Sequence, residues 1–205
     1  ACMAGCIGKT TTASSEDFPS TLLPCLSVRS GFDLLLQSLQ LPAGSEVLMS
    51  AITVPDMVRI VQHHDLVAVP VDLDPENYQV NLRSLEQAVS PRSKLLVVAH
   101  LFGRISPMDA IVDFARQHGL LVVEDSAQAY RGPNSLIEGA ADVALFSFGP
   151  IKLNTALGGG MVHARDENLL QRMRARQANY SVQSRRAYAR RLLQCCAITA
   201  ACPRH

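Results

Sequence analysis

"KLLVVAHLFGRISPMDAIVDFARQHGLLVVEDS", residues 94–126, sets two continuous apolar runs on either side of one amphipathic segment. The runs "KLLVVAHLF" and "LLVVEDS" do not alternate, so each reads as a strand covered on both faces. Between them "PMDAIVDFARQHG" reads as a helix closed by Gly119. Strand, helix and strand in this order predict a crossover between parallel neighbours.

The same grammar extends in both directions. Upstream, "GFDLLLQSLQL" is helical by spacing, "EVLMSA" is a short strand, and "PDMVRIVQHH" is a helix with Pro55 in its first turn. "LVAVPVDL" and "NLRSLEQAV" follow as strand and helix. Downstream, "DVALFSF" and "GGGMVHA" add two strands. The predicted class is α/β, three layers with a mostly parallel mixed sheet between helices. Residues 1–26 read as an N-terminal arm, 27–182 as the main domain and 183–205 as a helical tail.

At 205 residues the chain is long enough for one large core. It is 48% hydrophobic and 18% charged with a formal net charge of +1, which is unlike a disordered chain and gives no bulk-charge reason to expect a nucleic-acid partner. The longest apolar runs fall well short of a membrane span, and no secretory signal is visible, so a cytoplasmic location is expected. The six cysteines cluster at the two ends without a paired C-x-x-C pattern, and they read as free thiols. "GCIGKTT", residues 5–11, resembles the end of a phosphate-binding loop but lacks its first glycine and a preceding strand. Seven arginines between 172 and 191 read as a solvated or paired helix surface.

In a sheet of this kind, ligands bind beyond the carboxyl ends of the strands. Asp72 and Asp74, His100, Glu124 and Asp125, and Ser147 with Lys152 end strands, while Ser30 and Gly31 open a helix whose free N–H groups suit an anion. Taken singly, Lys152 could be a surface charge, Asp125 a strand end, Gln128 a partner for a loop carbonyl and His100 a hydrogen-bonded core side chain. Taken in order, an acid ending one strand and a serine and lysine following the next fit pyridoxal phosphate. That cofactor needs an amine to form a Schiff base, a carboxylate to keep its ring nitrogen protonated, and a phosphate cradle.

The stretches "RSGFDLLLQSLQLPAGSEVLMSAITVPDMV", "VPVDLDPENYQVNLRSLEQAVSPRSKLLVVAHLFGRISPMDAI", "LVVEDSAQAYRG" and "DVALFSFGPIKLNTALGGGMV" occur in the order seen in the DegT/DnrJ/EryC1/StrS aminotransferases, fold-type I pyridoxal phosphate enzymes. The resemblance spans about residues 27–182. It implies that Lys152 is the Schiff-base lysine, Asp125 the partner of the pyridine nitrogen, Gln128 the residue beside the ring hydroxyl and Ser147 a phosphate-binding serine. It also implies that backbone amides at Gly31 and Phe32 hold the phosphate, that an amino-acid donor and a keto-sugar, nucleotide-linked, are the substrates, and that the protein is a homodimer. His100 and Gly103 match a stretch whose role reads equally as structural or catalytic.

Four departures bear on function. Val54 stands where the family has an aromatic ring over the cofactor. "SGFDLL" replaces "S-G-T-x-A", losing a threonine hydroxyl and bringing Asp33 toward the expected phosphate. "KLNTALGGG" moves an asparagine to Asn154 and loses a glutamate. The family's smaller C-terminal domain has no counterpart before His205. A fold-retaining binding or assembly protein without catalysis, or a truncated fragment, is therefore the alternative, and a nucleotide-binding α/β protein a weaker third.

Overall fold

In the computed structural model, which describes residues 20–132, 139–149, 152, 155–182 and 184–201, each apolar run read as a strand forms one. The strands are β1 (Leu22–Cys25), β2 (Glu46–Ser50), β3 (Val67–Val71), β4 (Ser93–Ala99), β5 (Leu121–Asp125), β6 (Val143–Ser147) and β7 (Gly160–Ala164). The helices are α1 (Val28–Leu39), α2 (Pro55–His63), α3 (Leu82–Ala88), α4 (Asp109–Gln117), α5 (Glu167–Gln177) and α6 (Arg185–Ala201). One sheet has the order β1-β7-β6-β5-β4-β2-β3. Its centre is parallel, and β7 runs antiparallel to both β6 and β1. No described helix is long and apolar enough to cross a membrane.

Alternation along the strands divides the core into two layers. Val47, Val97 and Val123 join α1, α2 and α5 through Phe32, Leu35, Met57, Val61, Leu169 and Met173. Leu48, Leu96, Val98 and Val122 join α3 and α4 through Leu85, Ile111, Val112 and Ala115 on the other face. The three-layer α/β architecture read from the sequence is the one observed.

Four boundaries differ from the sequence reading. The arm assigned to residues 1–26 contributes β1, whose Leu22 and Leu23 are buried. Pro24 is tolerated because the strand lies at the sheet edge. It is held there from α5, where Arg174 Nη2 donates to the carbonyls of Ser20 and Leu22 at 2.6 and 3.0 Å and Gln177 Nε2 to that of Pro24 at 2.7 Å. Helix α1 begins at Val28, three residues before the apolar spacing suggests, because Ser27 and Ser30 form a reciprocal capping box. The long helical stretch from Glu167 divides into α5 and α6, and β4 ends at Ala99, leaving His100 at the start of a single 3-10 turn, Leu101–Gly103. The loop-like piece at residues 5–11 and Asn154 lie outside the described residues.

Candidate active site

Strand β5 ends in two adjacent carboxylates that strand alternation sends to opposite faces. Glu124 is buried on the α4 side, where Oε2 lies 3.2 Å from His100 Nε2 and Oε1 accepts the Ala141 N–H at 3.2 Å. The Ser106 N–H donates to His100 Nδ1 at 3.2 Å, so the ring proton sits on Nε2 and points to Glu124. Both nitrogens of His100 are committed, which favours the structural side of its sequence reading.

Asp125 faces the α1 side and a cavity of about 450 Å³. Its Oδ1 accepts the Ala127 N–H at 3.0 Å, and Oδ2 makes no hydrogen bond among the described residues. Burial raises its pKa above the usual aspartate range, opposed by the Ala127 N–H and by the charge of Lys152. Val54, Gln128, Ser147 and Lys152 line the same cavity, together with His100, Ser27, Val28 and Arg29.

Ser147 and Lys152 approach one another across Gly149. A Cβ on Gly149 would lie 3.8 Å from Ser147 Oγ and 4.0 Å from Lys152 Cγ, and the Lys152 N–H closes a turn onto the Gly149 carbonyl at 3.1 Å. The turn brings the lysine back toward the strand end that carries the serine. Gln128 Oε1 accepts the Phe102 N–H at 3.0 Å, which fixes the side chain and leaves its amide donors without a partner among the described residues. Phe102 itself has φ 56°, so this bond helps to hold a residue in a left-handed conformation.

Gly31 and Phe32 are not brought to the cavity. The Gly31 N–H is already donated to the Ser27 carbonyl at 3.1 Å, and Phe32 is fully buried in the core. The glycine serves close packing instead: a Cβ there would lie 2.6 Å from Val162 Cγ2 of β7. The N–H groups without partners among the described residues are those of Val28 and Arg29, in the first turn of α1. Both residues line the cavity, and α1 sits there on the start of β7. A Cβ on Gly160 would come within 2.7 Å of the Ser27 and Val28 backbone, so only glycine admits this approach.

Asp33, expected to burden the phosphate site, turns away from it. Its carboxylate accepts from Tyr180 Oη at 2.7 Å and Gln37 Nε2 at 3.0 Å and lies 2.8 Å from His64 Nε2. Burial and this carboxylate push the Tyr180 phenol up to about 12. Cys25 and Cys196 are free thiols, and burial pushes Cys25 to about 12, so it is no nucleophile at neutral pH. In a second depression of about 460 Å³, between α4 and the approach to β6, Asp142 accepts the Val122 N–H, Arg165 donates to the carbonyls of Ala141 and Gly139, and Arg116 pairs with Asp113.

Sequence reading missed Ser27, Arg29, Ile52 and Phe102 as cavity residues. The serine pair at 27 and 30 is a helix-start signature that would have placed the first turn of α1, and with it Arg29, at the strand ends.

The model of the DegT/DnrJ/EryC1/StrS aminotransferase family matches residues 24–195, a longer span than the resemblance read from the sequence. The chain belongs to that family. It is 35% identical over 156 residues to GDP-perosamine synthase of Caulobacter vibrioides, an alignment that covers 74% of this chain and 42% of that protein. Among solved structures, S. venezuelae DesV in complex with a ketimine intermediate matches with a TM-score of 0.68 and 30% identity, over 80% of this chain and 45% of that one. Bacillus subtilis NtdA with bound cofactor PMP matches with a TM-score of 0.68 and 26% identity, over 74% of this chain and 35% of that one. The chain therefore has the fold of these aminotransferases and spans less than half the length of the curated relatives it matches.

Proposed function

We propose that this chain carries the cofactor site of a pyridoxal phosphate-dependent aminotransferase that moves an amino group from an amino-acid donor to a nucleotide-linked keto-sugar. The observation that carries the reading is the convergence of Asp125, Ser147 and Lys152 on one cavity beneath the open N-terminus of α1. The donor set fits the cofactor at each end: a carboxylate oxygen without a protein partner for a protonated ring nitrogen, and backbone N–H groups with a serine hydroxyl for a phosphate. When bound, pyridoxal phosphate supplies an electron sink for charge developing on the substrate carbon.

The protein's own part follows from these positions. Asp125 keeps a proton on the ring nitrogen by remaining ionised beside it. Gln128 offers its amide N–H groups to the ring oxygen. Lys152 is the covalent anchor and, with its amine free and neutral, holds and returns the proton of the substrate carbon at Nζ. A sugar acceptor is supported by relatives named GDP-perosamine synthase and UDP-N-acetyl-3-dehydro-alpha-D-glucosamine 3-aminotransferase, the latter 33% identical over 153 residues. A homodimer is part of the proposal. Ile52, Val54 and Phe102 leave apolar surface at the cavity mouth, 46%, 52% and 65% exposed, which a second copy would cover.

The test is chemical. Incubation with pyridoxal phosphate and reduction with borohydride should fix a label that maps to Lys152 and is lost in Lys152→Ala. Label spread over other lysines, or none, would favour the fold-retaining protein without catalysis, to which Val54 in place of a stacking ring already points.

A further inference from the structure

We propose that Arg29 is a phosphate ligand of this cavity, a cofactor-binding side chain that takes over where the hydroxyls at the start of α1 are unavailable. The inference rests on the cofactor reading above and concerns which residue secures the phosphate end.

The donors near that end can be accounted for one by one. Ser27 Oγ accepts the Ser30 N–H at 3.2 Å, and Ser30 Oγ accepts the Ser27 N–H at 3.0 Å and donates to the Ser27 carbonyl at 2.9 Å. Ser27 Oγ also donates to Ser30 Oγ at 3.4 Å, so both hydroxyls are engaged within the capping box. Phe32 carries no hydroxyl and is buried away from the cavity. What remains at the first turn of α1 is the N–H of Val28, the N–H of Arg29 and the Arg29 guanidinium, all on residues that line the cavity with Ser147 and Lys152.

Arg29 is only partly committed. Its Nη1 donates to Asp56 Oδ2 at 3.1 Å, whereas Nε and Nη2 have no partner among the described residues. Asp56 is shared, because Arg59 Nη1 lies 3.2 Å from its other oxygen. Two guanidinium groups around one carboxylate leave a positive charge of one at the rim. A planar guanidinium whose Nε/Nη2 edge is free suits bidentate capture of a phosphate dianion, to which backbone N–H groups and the helix dipole add. Asp56 then acts as a competitor that holds Arg29 in reserve until a stronger anion arrives.

The experiment compares pyridoxal 5'-phosphate with pyridoxal, which lacks the phosphate, by spectral titration of the purified full chain. Arg29→Gln should weaken the phosphorylated aldehyde about tenfold and leave pyridoxal unchanged, Arg29→Lys should restore part of the loss, and Asp56→Asn should tighten the phosphorylated form severalfold. Equal effects on both aldehydes, or none, would overturn the proposal while leaving Lys152 labelling intact. Loss of Lys152 labelling in the wild type would instead overturn the cofactor reading. Inorganic phosphate gives a readout independent of that chemistry: it should raise the thermal midpoint of the wild type and not of Arg29→Gln, and an equal rise in both would also defeat the assignment.

Discussion

The end of β5 offers two carboxylates one residue apart with opposite fates. On the α4 side Glu124 meets His100 and the Ala141 N–H and is buried among satisfied donors. On the α1 side Asp125 has one backbone partner and an oxygen facing no protein donor among the described residues. A satisfied buried carboxylate holds a fold together, while one left partly unsatisfied beside a cavity is available to a ligand. The Asp33 cluster makes the same point at a distance: with Tyr180, Gln37 and His64 around it, that carboxylate has nothing left to offer a cofactor.

The comparison breaks most visibly by exchanging the consequences of the two residues. Glu124→Ala strands the His100 Nε2–H and the Ala141 N–H in the interior and should destabilise the fold by roughly 2–4 kcal/mol, read by denaturant unfolding. Asp125→Ala gives up one hydrogen bond at a cavity wall and should cost less than about 1 kcal/mol of stability. Its cofactor affinity should fall on the order of 100-fold, because a buried cationic ring nitrogen would lose its carboxylate counter-ion. If the two variants proved equally unstable, Asp125 would be a structural residue like its neighbour.

A smaller and more discriminating effect lies in pH. With its pKa raised by burial, Asp125 binds a proton more tightly in the folded chain than in the unfolded one. Its contribution to stability is then complete below the ordinary aspartate value and is lost as pH rises through the raised one. Binding a protonated ring nitrogen favours the ionised carboxylate, so cofactor binding should release a proton and strengthen with pH across that window. Thermal midpoints followed from mildly acidic to neutral pH should show the decline in the wild type and a flatter course in Asp125→Asn. Identical courses would remove Asp125 as the titrating group.

The same contrast explains how far the sequence could be read. Continuous apolar runs such as "LLVVEDS" specify a strand buried on two faces, and the residues that end them are placed by that fact alone. Asp125 and Ser147 end β5 and β6 in this way, whereas Lys152 lies beyond β6 and reaches the same cavity through the turn at Gly149. The strand β1 was not legible, since four residues including Pro24 carry no period and their anchors, Arg174 and Gln177, lie about 150 positions away. Gly31 and Phe32 were misplaced for a local reason. The serine pair starts the helix a turn earlier than the apolar spacing implies, which converts an expected amide cradle into packed helix and moves the open N–H groups to Val28 and Arg29. Asp33 was misread because its partners, His64 and Tyr180, come from other segments of the chain.

The smallest effect concerns Val54, a cavity position where the sequence resemblance expects an aromatic ring. Val54 precedes α2 with φ −74° and ψ 138°, a conformation open to any residue, and its side chain makes no capping bond that a substitution would break. It is 52% exposed, so a ring in its place has room without displacing the core. Val54→Phe should therefore leave stability unchanged and improve cofactor affinity by about 0.5–1.5 kcal/mol, the usual worth of an aromatic pair. Because stacking acts on the ring and is blind to the phosphate, pyridoxal and its phosphate should gain alike, in contrast to the selective loss expected of Arg29→Gln. A gain confined to the phosphorylated form, or no gain, would mean that the cofactor ring does not lie against Val54.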